Sequence, residues 1–134
     1  MAGTVIACHT KEEFDAHMAK AYEAGKLVVI DFMSPTCGAC QEIAPVFAEC
    51  AKEYPTKGVF LMVDIFELKL CVSLFDDDVQ EVAHSYCIQA APTFVFIMDD
   101  LTLESFVGAS PDKLRNTVKE FIDNTSAASA SSSA

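Results

Sequence analysis

The residues with the clearest chemistry are two cysteines, Cys37 and Cys40, which follow the apolar run Leu27–Met33 and begin a stretch with apolar residues at helical spacing. A thiol at a helix start lies beside free N–H groups and the positive end of the helix dipole, which favour its thiolate. The second thiol, three positions on, is within reach of the first. The spacing therefore predicts disulfide exchange, with Cys37 attacking and Cys40 resolving. Gly38 leaves the approach open for a substrate backbone.

A lone C-x-x-C pair is also half of a typical zinc site, but this sequence has no second pair and no suitably spaced Cys or His partner. The three histidines are scattered singly, as surface or packing residues are: His9, His17 and His84. Two alternatives stay open, namely structural thiols and a dimer that shares a metal ion or an iron–sulfur cluster between two pairs. C-x-x-C at a strand–helix junction favours redox chemistry over both.

The composition limits the class of protein and its partners. The chain has 134 residues, 51% of them hydrophobic, which predicts one compact domain with a substantial core. Twenty acidic residues against nine basic ones give a net charge of −11, so we expect neither nucleic acid nor an anionic membrane as a partner. There is no visible signal peptide and no apolar run of bilayer length. We therefore expect a cytoplasmic protein whose six cysteines are mostly thiols. We expect no cofactor.

Strand-like and helix-like patterns take turns along the chain. Five apolar segments are predicted as strands: Thr4–Cys8, Leu27–Met33, Val59–Ile65, Thr93–Met98 and Leu101–Val107. Four helices are predicted between and after them: Thr10 to Gly25, Cys37 towards Tyr54, Asp77 or Asp78 to about Tyr86, and Ser110-Pro111 to about Asp123. Alternation at the start and a hairpin at Asp99-Asp100 predict an α/β domain, with a mixed sheet of about five strands and helices on both faces.

Local signals mark where two of these helices begin and end. Thr10 with Glu13 forms a capping box, and Gly25 is placed to end that helix. Ser110 followed by Pro111 is an N-cap with proline at the first helical position.

Two segments do not fit the alternation. Phe66–Phe75, within an insertion at about residues 65–76, alternates like a one-sided strand, although weaker helical spacing is also present. It is interpreted as an element that covers core, with an exposed apolar patch for a partner as the alternative. Asn124–Ala134 is rich in Ser and Ala, which predicts a disordered tail after a domain at residues 1–123.

Several segments carry a resemblance to a known family: Lys26–Phe32 (KLVVIDF), Cys37–Cys40, Phe60–Asp64 (FLMVD), Ala91–Phe94 (APTF) and Phe106–Ala109 (FVGA). They span about residues 5 to 123. Together, and in this order, they resemble the central strand, redox centre, next strand, cis-proline segment and glycine turn of the thioredoxin family.

The resemblance implies a thioredoxin fold and an enzyme that reduces protein disulfides, with electrons from a thioredoxin-reductase-type donor. Asp31 would lie buried behind the cysteines and exchange a proton with Cys40. Pro92 would be cis, face the disulfide, and hold Ala91 for strand-like pairing with a bound protein. Gly108 would let the substrate chain pass close by.

The sequence also departs from the family around the cysteines. Thr36 replaces the tryptophan before the first cysteine, Met33 stands at a second aromatic position, and Ala39 replaces the proline between the cysteines. In the family, that tryptophan helps form the docking surface and that proline helps set how reducing the centre is. The resemblance therefore places Thr36, Gly38 and Ala39 on the substrate-binding surface of an atypical T-C-G-A-C centre.

The four further cysteines and the insertion allow other roles for this protein. Cys50 falls on an apolar helical stripe and is interpreted as a core residue, whereas Cys71 is the one expected to be exposed and open to a regulatory disulfide or a glutathione adduct. Cys8 and Cys87 are not assigned. We expect a monomer, with a dimer through extra cysteines as the alternative. The alternative function is a binding or scaffold module with weak turnover, which docks a partner through the inserted apolar segment.

Overall fold

A computed structural model describes residues 3–65 and 91–132 of the chain. Its strands are β1 (Val5–Cys8), β2 (Leu27–Met33), β3 (Gly58–Asp64), β4 (Thr93–Met98) and β5 (Leu101–Val107). Its helices are α1 (Lys11–Ala24), α2 (Gly38–Glu53) and α3 (Pro111–Ser132). None of these helices, within the described ranges, is long and apolar enough to cross a membrane.

The strands form one five-stranded sheet in the order β1-β3-β2-β4-β5. β3 pairs in parallel with both β1 and β2, while β4 pairs antiparallel with β2 and β5. The predicted mixed sheet of about five strands is therefore confirmed. β2 lies at its centre, which explains its nearly continuous burial and apolar sequence.

The side chains on the two faces of the sheet form two separate cores. Under α1, Phe14 packs with β2 residues such as Val28 and Ile30. On the opposite face, α2 and α3 cover Leu27 and Val29 together with a set of aromatic rings: Phe47, Phe60, Phe94, Phe96 and Phe106. Helices on both faces were predicted, and the structure confirms them. Because strand residues alternate between faces, Asp31 lies on the same face as Leu27 and Val29, beneath α2.

The predicted helix signals are confirmed, with one difference. The Glu13 N–H donates to Thr10 Oγ1 at 3.1 Å, so Thr10 caps α1. A full capping box would also have the Glu13 carboxylate accept from the Thr10 N–H. In this structure the Glu13 carboxylate accepts from the His9 N–H instead. Gly25 ends the helix in the left-handed conformation, with φ of 66°. The Lys113 N–H donates to Ser110 Oγ at the start of α3.

The hairpin between β4 and β5 turns at the predicted pair, Asp99-Asp100. Both residues have positive φ, 53° and 63°. Two consecutive positive φ values give the two-residue turn whose twist matches that of paired strands, and Asp tolerates this conformation better than most residues.

Helix α3 differs from its prediction at its C-terminal end. The helix continues to Ser132, so the predicted end near Asp123 is wrong, and the helix extends into the segment for which a disordered tail from Asn124 was predicted. The physical reason is that Ala is the strongest helix former, and no Gly or Pro interrupts the segment after Pro111.

Several predictions lie outside the described residues. These are the inserted segment Phe66–Phe75, the helix from Asp77 or Asp78 to Tyr86, and the positions Cys71, His84 and Cys87. The alternative function, which depends on the inserted segment, stays a prediction for the same reason.

Candidate active site

A tight turn connects the central strand to the helix that carries the second cysteine. β2 ends at Met33, and the Cys37 N–H donates to the Ser34 carbonyl oxygen at 3.1 Å. Pro35 is the second residue of this four-residue turn, a position that its fixed φ favours. The turn makes Cys37 the N-cap of α2.

The two cysteines differ in exposure and lie in contact. Cys37 is partly exposed, and its Sγ accepts from the Cys40 N–H at 3.1 Å. The thiol of Cys37 also donates to the Ala91 carbonyl oxygen at 3.6 Å. Cys40 is buried, with 2% of its surface exposed, and its thiol hydrogen-bonds Cys37. Both are free thiols. The geometry therefore presents one sulfur to solvent and holds the other directly behind it.

The surroundings of Cys40 keep it protonated. Burial, which is the largest cause, and the side-chain hydrogen bond with Cys37 together raise the pKa of its thiol to about 12. A backbone hydrogen bond from Ser34 acts in the opposite direction, whereas the charges of Cys37 and Asp31 add to the increase. At neutral pH Cys40 is thus a thiol that needs a proton acceptor before it can act as a nucleophile.

Asp31 lies buried on the sheet beneath α2, with 2% of its surface exposed. Its Oδ1 has no hydrogen-bond partner among the described residues. Burial raises the pKa of this carboxyl from an ordinary 3.8 to about 7. A carboxyl with such a pKa can take up or release a proton near neutral pH.

The segment Ala91-Pro92 lies against the first cysteine. Its peptide bond is cis, as the family resemblance predicted. The Gly108 N–H donates to the Pro92 carbonyl oxygen at 3.0 Å, so the glycine turn is fixed beside the proline. Gly108 has φ of 121°, which requires glycine. Residues from three distant parts of the sequence therefore meet at Cys37 and Pro92.

The remaining predicted site residues, Thr36, Gly38 and Ala39, are exposed and flank Cys37. The nine predicted site residues thus form one continuous region, in which Asp31, Cys40 and Pro92 are buried and the others are partly or fully exposed. Their roles in the reaction stay predictions.

Two residues that hold the turn were not predicted from the sequence. The buried hydroxyl of Ser34 contacts Thr36, and Gln41 Nε2 donates to the Pro35 carbonyl oxygen at 3.0 Å. A signal for Ser34 was present, because Ser followed by Pro is a common start of a β-turn. For Gln41 the sequence offered no signal.

The other described cysteines lie apart from this site. Cys50 lies on α2, is 2% exposed and packs in the core, as predicted, and Cys8 is 1% exposed. Burial raises the pKa of both thiols to about 11. Within residues 3–65 and 91–132, no three His, Cys, Asp or Glu side chains are grouped so that they could hold a metal ion.

Comparison with known proteins agrees with this geometry. The family model described as Thioredoxin matches residues 5–120. A thioredoxin H-type protein from Oryza sativa subsp. indica is 52% identical over 125 residues, which cover 93% of each chain. Thioredoxin H1 from Arabidopsis thaliana is 42% identical over 120 residues, 90% of this chain and 95% of that protein.

Among solved structures, a wild-type poplar thioredoxin h superimposes with a TM-score of 0.75 at 30% identity, covering 90% of this chain and 97% of the poplar chain. These similarities over nearly the whole length support a thiol–disulfide oxidoreductase that reduces protein disulfides. The chain belongs to the thioredoxin family.

Proposed function

We propose that this protein reduces protein disulfides through a mixed disulfide at Cys37 that Cys40 resolves. The observation that carries the proposal is the arrangement of the two sulfurs. Cys37 Sγ is partly exposed and accepts the Cys40 N–H at the start of α2, while the buried Cys40 thiol hydrogen-bonds Cys37 from behind. A thiolate is stabilised by an N–H donor at a helix N-terminus, and an adjacent thiol can complete the exchange.

The reaction consists of two exchanges. The Cys37 thiolate attacks one sulfur of the substrate disulfide, so that the substrate S–S bond breaks, a Cys37–substrate S–S bond forms, and the first substrate thiolate leaves. The Cys40 thiolate then attacks Cys37 Sγ, forms the Cys37–Cys40 disulfide and expels the second substrate thiolate. The substrate gains two electrons, and the protein's dithiol supplies them.

Asp31 is proposed as the group that accepts the Cys40 proton before the second exchange. Its pKa of about 7 allows it to be ionised at and above neutral pH, whereas Cys40 by itself holds its proton. The unpartnered Oδ1 leaves Asp31 free to bind a proton. The carboxyl would act as a general base for the second exchange and as the proton donor when the disulfide is reduced again.

The substrate is proposed to bind across the surface around Cys37. Ala91 would pair in a strand-like manner with the substrate backbone, and the open backbone of Gly108 would lie next to the passing chain. Thr36, Gly38 and Ala39 would form the other side of this surface, since all three are exposed beside Cys37.

The oxidised protein needs an electron donor, and we propose a thioredoxin-reductase-type enzyme. Thr36, which stands in place of the family's tryptophan, would contact this donor enzyme as well. A cytoplasmic location and a monomeric state complete the proposal and stay predictions from the sequence.

Trapping of the mixed disulfide tests the assignment of the two cysteines. The Cys40→Ser variant should retain a bound substrate protein after mixing with oxidised insulin, seen as a band of increased mass that a reducing agent removes. The Cys37→Ser variant should show neither this band nor any catalysis of insulin reduction by a dithiol. The Cys50→Ser variant, changed at a core cysteine, is the matched control and should behave as the unchanged protein does.

A band that forms with Cys37→Ser, or insulin reduction by that variant, would contradict the assignment. A Cys40→Ser variant that reduces insulin at the unchanged rate without a trapped species would show that Cys40 does not resolve the intermediate.

A further inference from the structure

Ser34 is a buried polar residue at the base of the redox turn, with 4% of its surface exposed. Its Oγ lies 3.1 Å from Thr36 Oγ1 and accepts from the Thr36 N–H at 3.3 Å. A buried hydroxyl without a partner is unfavourable, so these contacts fix both the Ser34 rotamer and the position of Thr36.

The backbone of the same residue binds the first cysteine. Its carbonyl oxygen accepts from the Cys37 N–H at 3.1 Å, and Cys37 Sγ in turn accepts from the Cys40 N–H at 3.1 Å. Ser34 is thus linked to Thr36 by its side chain, to Cys37 by its main chain and, through Cys37, to Cys40. A change in the backbone at Ser34 would move the two sulfurs relative to each other.

The hydroxyl pair between Ser34 and Thr36 occurs at a position where this sequence departs from the family, because Thr36 replaces the tryptophan. Thr36 itself is exposed, so the pair joins a surface residue to a buried one across the turn. Gln41 holds the outer part of the turn, because its Nε2 donates to the Pro35 carbonyl oxygen at 3.0 Å.

We propose that Ser34 is a positioning residue: its hydroxyl bond to Thr36 fixes the turn in the geometry in which Cys40 attacks the mixed disulfide at Cys37. The inference rests on the proposed two-step reaction. It concerns the second exchange, because the Ser34 carbonyl oxygen holds the Cys37 N–H, and Cys37 Sγ in turn holds the N–H of the buried Cys40. The first exchange requires only an accessible Cys37, so its rate should change less when Ser34 is replaced.

A small aromatic disulfide whose two halves absorb light as free thiolates separates the two steps. One thiolate is released when Cys37 attacks, and the second is released when Cys40 attacks Cys37 Sγ. Stopped-flow mixing with protein in excess gives a rate for each release, and the slow reaction of the Cys37→Ser/Cys40→Ser double variant is subtracted as the contribution of the other cysteines.

Ser34→Ala removes the hydroxyl bond and the acceptor of the Thr36 N–H, and it should slow the second release about 3- to 10-fold, while the first release changes less than about 2-fold. Thr36→Val removes only the hydroxyl bond, so it should slow the second release to an equal or smaller extent. Thr36→Ser retains the hydroxyl and should restore the second rate. The double variant Ser34→Ala/Thr36→Val should be no slower than Ser34→Ala alone, because Ser34→Ala already removes the bond that Thr36→Val removes.

Thr117→Val is the matched control, since it removes another buried hydroxyl. This hydroxyl lies within α3 and donates to the Lys113 carbonyl oxygen at 2.6 Å. It should leave the ratio of the two rates unchanged. The proposal is overturned if Ser34→Ala leaves that ratio unchanged, if the two single effects multiply in the double variant, or if Thr117→Val alters the ratio equally. By contrast, a second release that persists in Cys40→Ser would refute the two-step reaction itself.

Discussion

Two helices of this protein start in the same way and do different things. α1 and α2 each follow a strand that pairs in parallel with β3, so both begin at the same edge of the sheet. Thr10 Oγ1 accepts from the Glu13 N–H at 3.1 Å, and Cys37 Sγ accepts from the Cys40 N–H at 3.1 Å. The N-cap and the third helical residue are thus joined identically in both.

The two helix starts differ in the charges and groups around the cap. The first turn of α1 contains Glu12 and Glu13, whose carboxylates complement the positive end of the helix. The first turn of α2 contains no acidic residue. Asp31 lies beneath it instead, buried on the sheet. The same capping bond thus forms at both helix starts, whereas only the start of α2 combines a sulfur at the cap, a first turn without acidic residues and a buried carboxyl, the three features that the proposed reaction would use.

The largest expected effect is the loss of insulin reduction in a variant that keeps the cap of α2. Cys37→Thr places at this cap the residue that caps α1, so the free energy of unfolding should change by less than about 1 kcal/mol. Insulin reduction should fall at least about 1000-fold, because the attacking sulfur is gone. Chemical denaturation and the insulin assay measure the two quantities. The added change Thr10→Cys should not restore reduction; restored activity would mean that a capping thiol is sufficient.

The second effect concerns the buried carboxyl that α1 lacks. With a pKa raised from 3.8 to about 7, folded Asp31 holds a proton that the unfolded chain releases. Its contribution to stability is therefore present below about pH 4, declines as the pH rises, and is lost above about pH 7. Asp31→Asn removes this titration and should raise the free energy of unfolding by about 4 kcal/mol at pH 8, with little change near pH 4.

Urea denaturation of Asp31→Asn and the unchanged protein at both pH values measures this difference. In the unchanged protein the rate of the second thiolate release should increase as the pH rises through about 7, and Asp31→Asn should lose this increase. Equal stabilisation at pH 4 and pH 8 would contradict the raised pKa.

A smaller effect is expected at the cap of α1. Thr10→Ala removes the acceptor for the Glu13 N–H and should lower the free energy of unfolding by about 1 kcal/mol. Both thiolate release rates should stay unchanged, because this cap only stabilises its helix. Thr10→Ser keeps the acceptor and serves as the control; a loss of redox rate in Thr10→Ala alone would show that the two helix starts are coupled.

The smallest effect gives α2 the charge that α1 carries. Ala39→Glu adds a carboxylate to the first turn, which should stabilise the helix by about 0.3–1 kcal/mol and slow the first exchange about 2- to 5-fold, since a negative charge opposes the thiolate. The rate of Cys37 with iodoacetamide, a neutral reagent, measures this effect without charge repulsion of the reagent. Ala39→Gln is the uncharged control. An equal decrease of the rate in both variants would mean that the size of the side chain, and not its charge, causes the decrease.

Much of the fold could be predicted because its signals are local. The continuous apolar run of β2, the cap at Thr10, the left-handed Gly25 and the Asp99-Asp100 turn each depend on residues close in sequence, and each is confirmed. The end of α3 was mispredicted because a Ser/Ala-rich segment has composition typical of both disorder and helix, and composition alone does not choose between them.

The site was predictable to the extent that it follows the C-x-x-C spacing and the order of the family segments. Ser34 was missed, since a serine before a proline reads as an ordinary turn residue until its hydroxyl is seen to be buried. The contact between Cys37 and Ala91 joins residues 54 positions apart, a separation at which spacing carries no information.

The sequence by itself determined the helix start, the two thiols and their spacing, because a helix cap and a three-residue interval are local geometry. Only the tertiary structure decided which sulfur is accessible, that burial raises the pKa of Asp31 to about 7, and that Ala91 lies beside Cys37 and Gly108 beside Pro92. The physical reason is that burial and desolvation depend on what the sheet and α2 enclose together, and residues distant in sequence contribute to both.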